Sequence, residues 1–100
     1  MDIYRVVAVN RECGNNYNFL CGITDSWELE DGEWFGYYAE KDIVYPFVLK
    51  YGEYFFYGGD GDHFEATNIG SNIIKKNELF TVYSTKGLDV IYEITSISLI

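Results

Sequence analysis

Short runs of alternating apolar and polar residues, each ended by a turn signal, set the pattern of this chain. Residues 3–9 are rich in β-branched side chains and stop at a polar cluster, 10–16, which predicts a first strand. Residues 17–23 place Tyr17, Phe19, Cys21 and Ile23 on one face with a period of two, a second strand in a hairpin with the first. Residues 34–39 read as a third, where Gly36 marks a bulge or a close backbone contact. In 43–49, Ile43, Tyr45, Phe47 and Leu49 share a side. Pro46 has no N–H to give a ladder, so that strand is expected at an edge or broken there. Tyr51-Gly52 then turns the chain into 53–57 and completes a second hairpin.

Gly58-Gly59-Asp60-Gly61 is the strongest break in the chain. Beyond it, Asp62 followed three positions later by Glu65 has the form of a helix N-terminus, and Gly70 is a suitable stop. The pattern predicts one or two helical turns over 63–69; residues 71–77 fit no single element. Residues 79–83, a Thr85-Lys86-Gly87 turn and residues 88–100 form a last hairpin. In its second strand Leu88, Val90, Tyr92 and Ile94 share one parity, whereas Ile97 and Leu99 fall on the other. A bulge or bend near Thr95-Ser96 returns those two to the core, as in a strand that curves around a small barrel. The predicted fold is therefore mainly β, or β-rich α+β, in a single domain, 1–100. It has six or seven short antiparallel strands in a curved sheet or small barrel, with one short helix near 62–70.

Composition supports a packed domain: 48% of the 100 residues are hydrophobic and 19% aromatic. No apolar run is long enough for a transmembrane helix, and the opening Met-Asp-Ile-Tyr-Arg lacks the order of a secretory signal, so a cytoplasmic protein is expected. Cys13 and Cys21 lie eight positions apart around a turn, within reach of each other across a hairpin. In a reducing compartment they are expected as two packed thiols.

Charge changes the picture more than composition does. Residues 25–65 hold eleven acids and two cations, which accounts for the whole net charge of −9, and 13 of the 19 aromatic residues. A field of this sign repels nucleic acid and anionic lipid and attracts basic proteins. Within the window, Asp25, Glu28, Glu30, Asp31 and Glu33 form a run without a cation, bracketed by Trp27 and Trp34. On an extended segment Glu28 and Glu30 point the same way, about 6.7 Å apart, and such a row engages Arg or Lys side chains. The bland alternative is a solvated acidic loop, with Trp34 in the core because it opens a strand. Both faces of a single-layer sheet cannot be core, so some rings among Tyr37, Tyr38, Tyr51, Tyr54 and Tyr57 are expected outside, Tyr38 and Tyr54 being the candidates for contact.

Other chemistry is sparse. Asp60, Asp62, His63 and Glu65 are candidate metal ligands or an acid–base set, although their glycines do not match an EF-hand loop. A glycine turn followed by a capped helix explains the same residues. His63 is the sole imidazole, no nucleophile elbow surrounds a Ser or Cys, and no phosphate-cradling loop exists, so neither an enzyme nor a cofactor is expected.

In size, charge and β-rich pattern, though in no motif, the chain resembles two groups of small acidic proteins. One is the bacterial immunity proteins that neutralise toxins; the other is phage inhibitors of host defence, such as anti-CRISPR or anti-restriction proteins that mimic nucleic acid. Either resemblance implies an inhibitor of a basic protein partner, a toxin or a defence nuclease. Asp25, Glu28, Glu30, Asp31 and Glu33 would meet its cations, and Trp27 would anchor the contact. A small metal-binding enzyme or sensor is the reading from another class.

Overall fold

In a computed structural model, which describes residues 2–58, 63–84 and 87–100, the chain forms a closed antiparallel barrel. Its strands are β1 (Ile3–Val9), β2 (Asn16–Gly22), β3 (Glu33–Glu40), β4 (Ile43–Lys50), β5 (Tyr54–Tyr57), β6 (Phe64–Thr67), β7 (Leu79–Tyr83) and β8 (Asp89–Leu99). Each pairs with its neighbours in sequence, and β8 returns to β1. The described residues thus contain eight strands, one more than the upper expectation.

The additional strand is the segment read as a helix. Phe64–Thr67 pairs with β5 through Tyr54↔Ala66 and with β7 through Thr67↔Val82. The described residues hold no α-helix, only a 3₁₀ turn at Ile69–Ser71. Local capping chemistry lost to tertiary pairing: without β6, β5 and β7 would each present an open edge. Gly70 is therefore not a helix stop. Its backbone N–H donates to Gly52 O at 2.9 Å, and a Cβ on Gly70 would lie 2.8 Å from that oxygen.

Alternation fills the interior. Val6, Ala8, Tyr17, Phe19, Cys21, Phe47, Leu49, Phe55, Phe80, Val82, Tyr92 and Ile94 are buried, along with Ile69 and Ile74 from the connection before β7. An eight-stranded barrel has an interior about wide enough for side chains to fill. Here aromatic rings do so: Tyr17 lies 4.5 to 6.2 Å, centroid to centroid, from Tyr38, Phe47, Phe55, Phe80 and Tyr92.

Closure depends on β8. Its first half pairs with β7 and its second with β1, the two registers meeting at Glu93. The β1 register jumps from Val7↔Ser96 to Ala8↔Ile94, which leaves Thr95 as the extra residue of a bulge. Ile97 consequently packs against the core, as its parity change requires, whereas Leu99 stays 62% exposed.

Pro46 behaves differently from expectation. β4 runs unbroken past it and pairs with β3 over its whole length, Pro46 lying opposite Tyr37. Its pairing with β5 begins only at Phe47↔Tyr57, so the proline marks where that ladder begins. Inward packing follows the same boundary: Phe47 and Leu49 are buried, Ile43 and Tyr45 exposed.

Gly36 is a close backbone contact. An added Cβ would stand 2.1 Å from Asn18 O and 2.5 Å from Phe19 Cβ. Replacing Gly36 with Ala should cost about 3 kcal/mol in urea unfolding, because both obstacles are fixed by the β2–β3 ladder. Gly14→Ala, which meets nothing within 4 Å and has only its φ of +80° to strain, should cost about 1 kcal/mol. Equal losses at the two sites would count against the close β2–β3 approach.

Candidate functional site: an acidic groove beside Trp27

The acidic stretch 25–33 is a folded-back loop, not an extended row. Thr24 organises it: its Oγ1 accepts the backbone N–H of Ser26 at 3.2 Å and of Glu28 at 3.0 Å, and its carbonyl accepts that of Trp27 at 2.9 Å. The returning limb then bridges Ile23 to Leu29, and Glu30 N–H donates to Gly22 O at 3.0 Å. Side-chain hydrogen bonding of this kind offers the backbone an alternative to a strand, which is why the stretch turns at 25–27 before it extends.

Two further ties hold the loop to the barrel. Ile74 N–H donates to Trp27 O at 2.6 Å, and Trp34 Nε1–H donates to Glu30 O at 2.9 Å. Trp34 is half-buried against the core, as its strand position predicts. Trp27 is 44% exposed at a φ of 63°, with Lys75 Nζ 4.7 Å from its ring centroid. That contact is a cation–π pair.

A groove of about 640 Å³ lies here, lined by Asp2, Tyr4, Asp25, Trp27 and Glu30 among others. Three carboxylates and two aromatic rings share this lining, and both kinds of group attract an ammonium or guanidinium. Glu28, Asp31 and Glu33 stand exposed on the same loop or at its end, with Glu33 3.9 Å from Lys50 Nζ. The sequence reading omitted Asp2 and Tyr4. Antiparallel pairing of β1 with β2 puts Ile3 opposite Gly22 and Tyr4 opposite Cys21, so the start of β1 must lie where β2 enters the acidic loop.

The two tyrosines singled out for contact fall on opposite sides of the barrel wall. Tyr54 points outward with Phe56 and Phe64, the three rings 5.4 to 6.0 Å apart. Phe35 and Tyr37 are exposed on β3, 61% and 39%. Tyr38 instead packs on the core, its ring 4.8 Å from that of Tyr17, so strand parity gives the outer position to Tyr37.

The proposed ligand set at 60–65 is not assembled among the described residues. Asp60 and Asp62 lie outside them, and His63 is exposed. Glu65 is committed elsewhere, accepting the Tyr57 hydroxyl at 2.9 Å. Tyr17 hydroxyl lies 2.6 Å from that of Tyr57, which completes a chain from Tyr17 through Tyr57 to the Glu65 carboxylate. No three potential metal ligands converge among the described residues.

Burial raises the phenol pKa values of Tyr17, Tyr57 and Tyr92; neighbouring hydroxyls add to it at Tyr17 and Tyr92, and at Tyr57 the Glu65 carboxylate adds to it while the Tyr17 hydrogen bond acts the other way; burial also raises that of Tyr38. Burial pushes the Cys21 thiol up to about 12. The two cysteines are not bonded, and only Cys21 is packed; Cys13, expected to be packed as well, is exposed in the β1–β2 loop.

Comparison of the chain with protein-family models, curated proteins and solved structures returned no match. No helix among the described residues is long and apolar enough to cross a membrane.

Two outcomes follow from these environments. A phenol whose pKa is raised by folding leaves stability intact below its unfolded pKa of about 10 and lowers it as pH rises further. Phenolate absorbance should therefore rise in two steps, with Tyr17, Tyr57 and Tyr92 ionising only as circular dichroism reports unfolding; one smooth step with the fold retained would contradict this. A thiol reagent at neutral pH should label Cys13 in the native protein and Cys21 only in denaturant. Rapid native labelling of both would contradict the burial of Cys21.

Proposed function

We propose that the protein is a small acidic inhibitor that neutralises a basic protein partner. Most concretely, it is an immunity protein that blocks the active or nucleic-acid-binding site of a nuclease-like bacterial toxin. The observation that carries this reading is the groove at Trp27. Asp2, Asp25 and Glu30 line it, and the protein's own Lys75 occupies a face of the indole. An amine from a partner would meet the same chemistry. Glu28, Asp31 and Glu33 extend the negative surface around it and would steer a cationic partner during approach.

Anchoring of the loop supports the same reading. A receptor held by backbone bonds loses little conformational freedom on binding, whereas a solvated acidic tail would lose much. A phage-encoded inhibitor of a host defence nuclease would use the same carboxylates in place of phosphates, and the partner's identity separates the two.

The test is capture from a lysate of the source organism, identification of the retained protein, and kinetics with that protein purified. Neutralising the loop (D25N/E28Q/E30Q/D31N/E33Q) should slow association about tenfold or more and flatten its salt dependence. Trp27→Ala should instead act mainly on dissociation, weakening the complex about thirtyfold. A captured protein that is acidic, or association that the charge variant leaves unchanged, would overturn the proposal.

A further inference from the structure

A second groove, of about 530 Å³, lies at the other end of β1, between the Asn10–Glu12 turn and the starts of β7 and β8. Its walls are apolar and open: Leu79, Leu88 and Ile91 are 52%, 73% and 56% exposed. Glu93 also lines it, at the position where β8 pairs with both Val9 of β1 and Leu79 of β7. Glu93 is 8% exposed, the one buried carboxylate among the described residues.

The ion pair in this groove is lopsided. Arg11 pairs with Glu93, but the Arg11 side chain is 80% exposed and that of Glu93 only 10%. A guanidinium in water on a turn is held weakly, because screening and side-chain freedom both oppose the contact. A buried carboxylate, by contrast, is costly to leave without a cation. Exchange of Arg11 for another cation keeps the carboxylate paired, and a ligand with an aliphatic neighbour also covers Leu79, Leu88 and Ile91. Glu12 and Asp89 line the same groove, so among the described residues its lining is net negative even with Arg11 in place. The complementary occupant is cationic and apolar together.

We propose that this groove is a second binding site, which takes a peptide segment carrying an Arg beside an aliphatic residue, and that Arg11 is the internal stand-in which such a ligand displaces. The site is separate from the groove at Trp27 and does not rest on the reading given for it.

The experiment titrates the full chain with Ac-Leu-Arg-Leu-NH₂ and follows backbone amide shifts by NMR. Saturable shifts are expected at Leu79, Leu88, Ile91 and Glu93, and none with Ac-Leu-Asp-Leu-NH₂. Arg11→Ala removes the competitor and should tighten binding about two- to sixfold, the range set by a surface ion pair that occupies the site half the time or more. Glu93→Gln should weaken it about tenfold. Should that variant fail to fold, Leu88→Ser/Ile91→Ser, changed only at exposed positions, should weaken binding with the fold kept. Glu53→Gln, at an exposed carboxylate in the turn between β4 and β5, should leave the affinity unchanged. Absence of shifts at these residues up to millimolar peptide would overturn the proposal. Binding that Arg11→Ala leaves unchanged or weakens, or that Glu53→Gln weakens as much as Glu93→Gln does, would also overturn it.

Discussion

The fold depends on one side chain more than any other, Tyr17 in the middle of the barrel. Its ring meets a ring from each of five strands: Tyr38 of β3, Phe47 of β4, Phe55 of β5, Phe80 of β7 and Tyr92 of β8. Its hydroxyl is 2.6 Å from that of Tyr57, which donates to Glu65 of β6. A tyrosine suits this position because the ring fills volume while the hydroxyl finds a partner. The chain Tyr17–Tyr57–Glu65 also explains why β6 is a strand. An inward Glu65 completes a polar network that a helix at 62–70 would leave without its acceptor, and buried polar groups are costly to strand.

The Tyr17–Tyr57–Glu65 network also marks the limit of what was legible in the sequence. Alternation, β-branched composition and turn signals together carried seven of the strands nearly to their ends, and the parity switch at Ile97 identified the bulge near Thr95 because a core-facing side chain must be returned to the core. Where they failed, at 64–67, the local signal was real but short. Asp62 and Glu65 satisfy a capping pattern, yet four residues gain more from two flanking ladders than from one helical turn, whose nucleation is unfavourable. Pro46 was misjudged for a related reason. A missing N–H matters only where a ladder needs it, and the β5 ladder begins one residue beyond.

The candidate site divides along the same line. Its charged residues were legible as a run, because a cluster without cations needs no tertiary information to be seen. Its shape was not. Thr24, an unremarked residue between strand and acids, folds the loop back with its hydroxyl and carbonyl, and Asp2 arrives only through the β1–β2 register. Parity requires Tyr37 and Tyr38 to face opposite ways, but which of them faced inward depended on Tyr17 drawing Tyr38 onto the core.

The two grooves share a physical arrangement that bears on how an acidic protein could recognise cations selectively. The net charge of −9 attracts any basic protein at long range, and screening limits that attraction to roughly a Debye length. Selection must then come from places where a cation gains more than water and salt already give it. At Trp27 the gain is an indole face beside carboxylates; at Glu93 it is a carboxylate too deep to be well hydrated. In both places one of the chain's own few cations, Lys75 or Arg11, already holds the position. At Glu93 the internal occupant keeps a buried carboxylate from standing unpaired when no ligand is bound. It also sets a threshold, since a ligand must outcompete a tethered group. On the two proposals, diffuse attraction would bring basic partners to the surface, and displacement of an internal cation would discriminate among them.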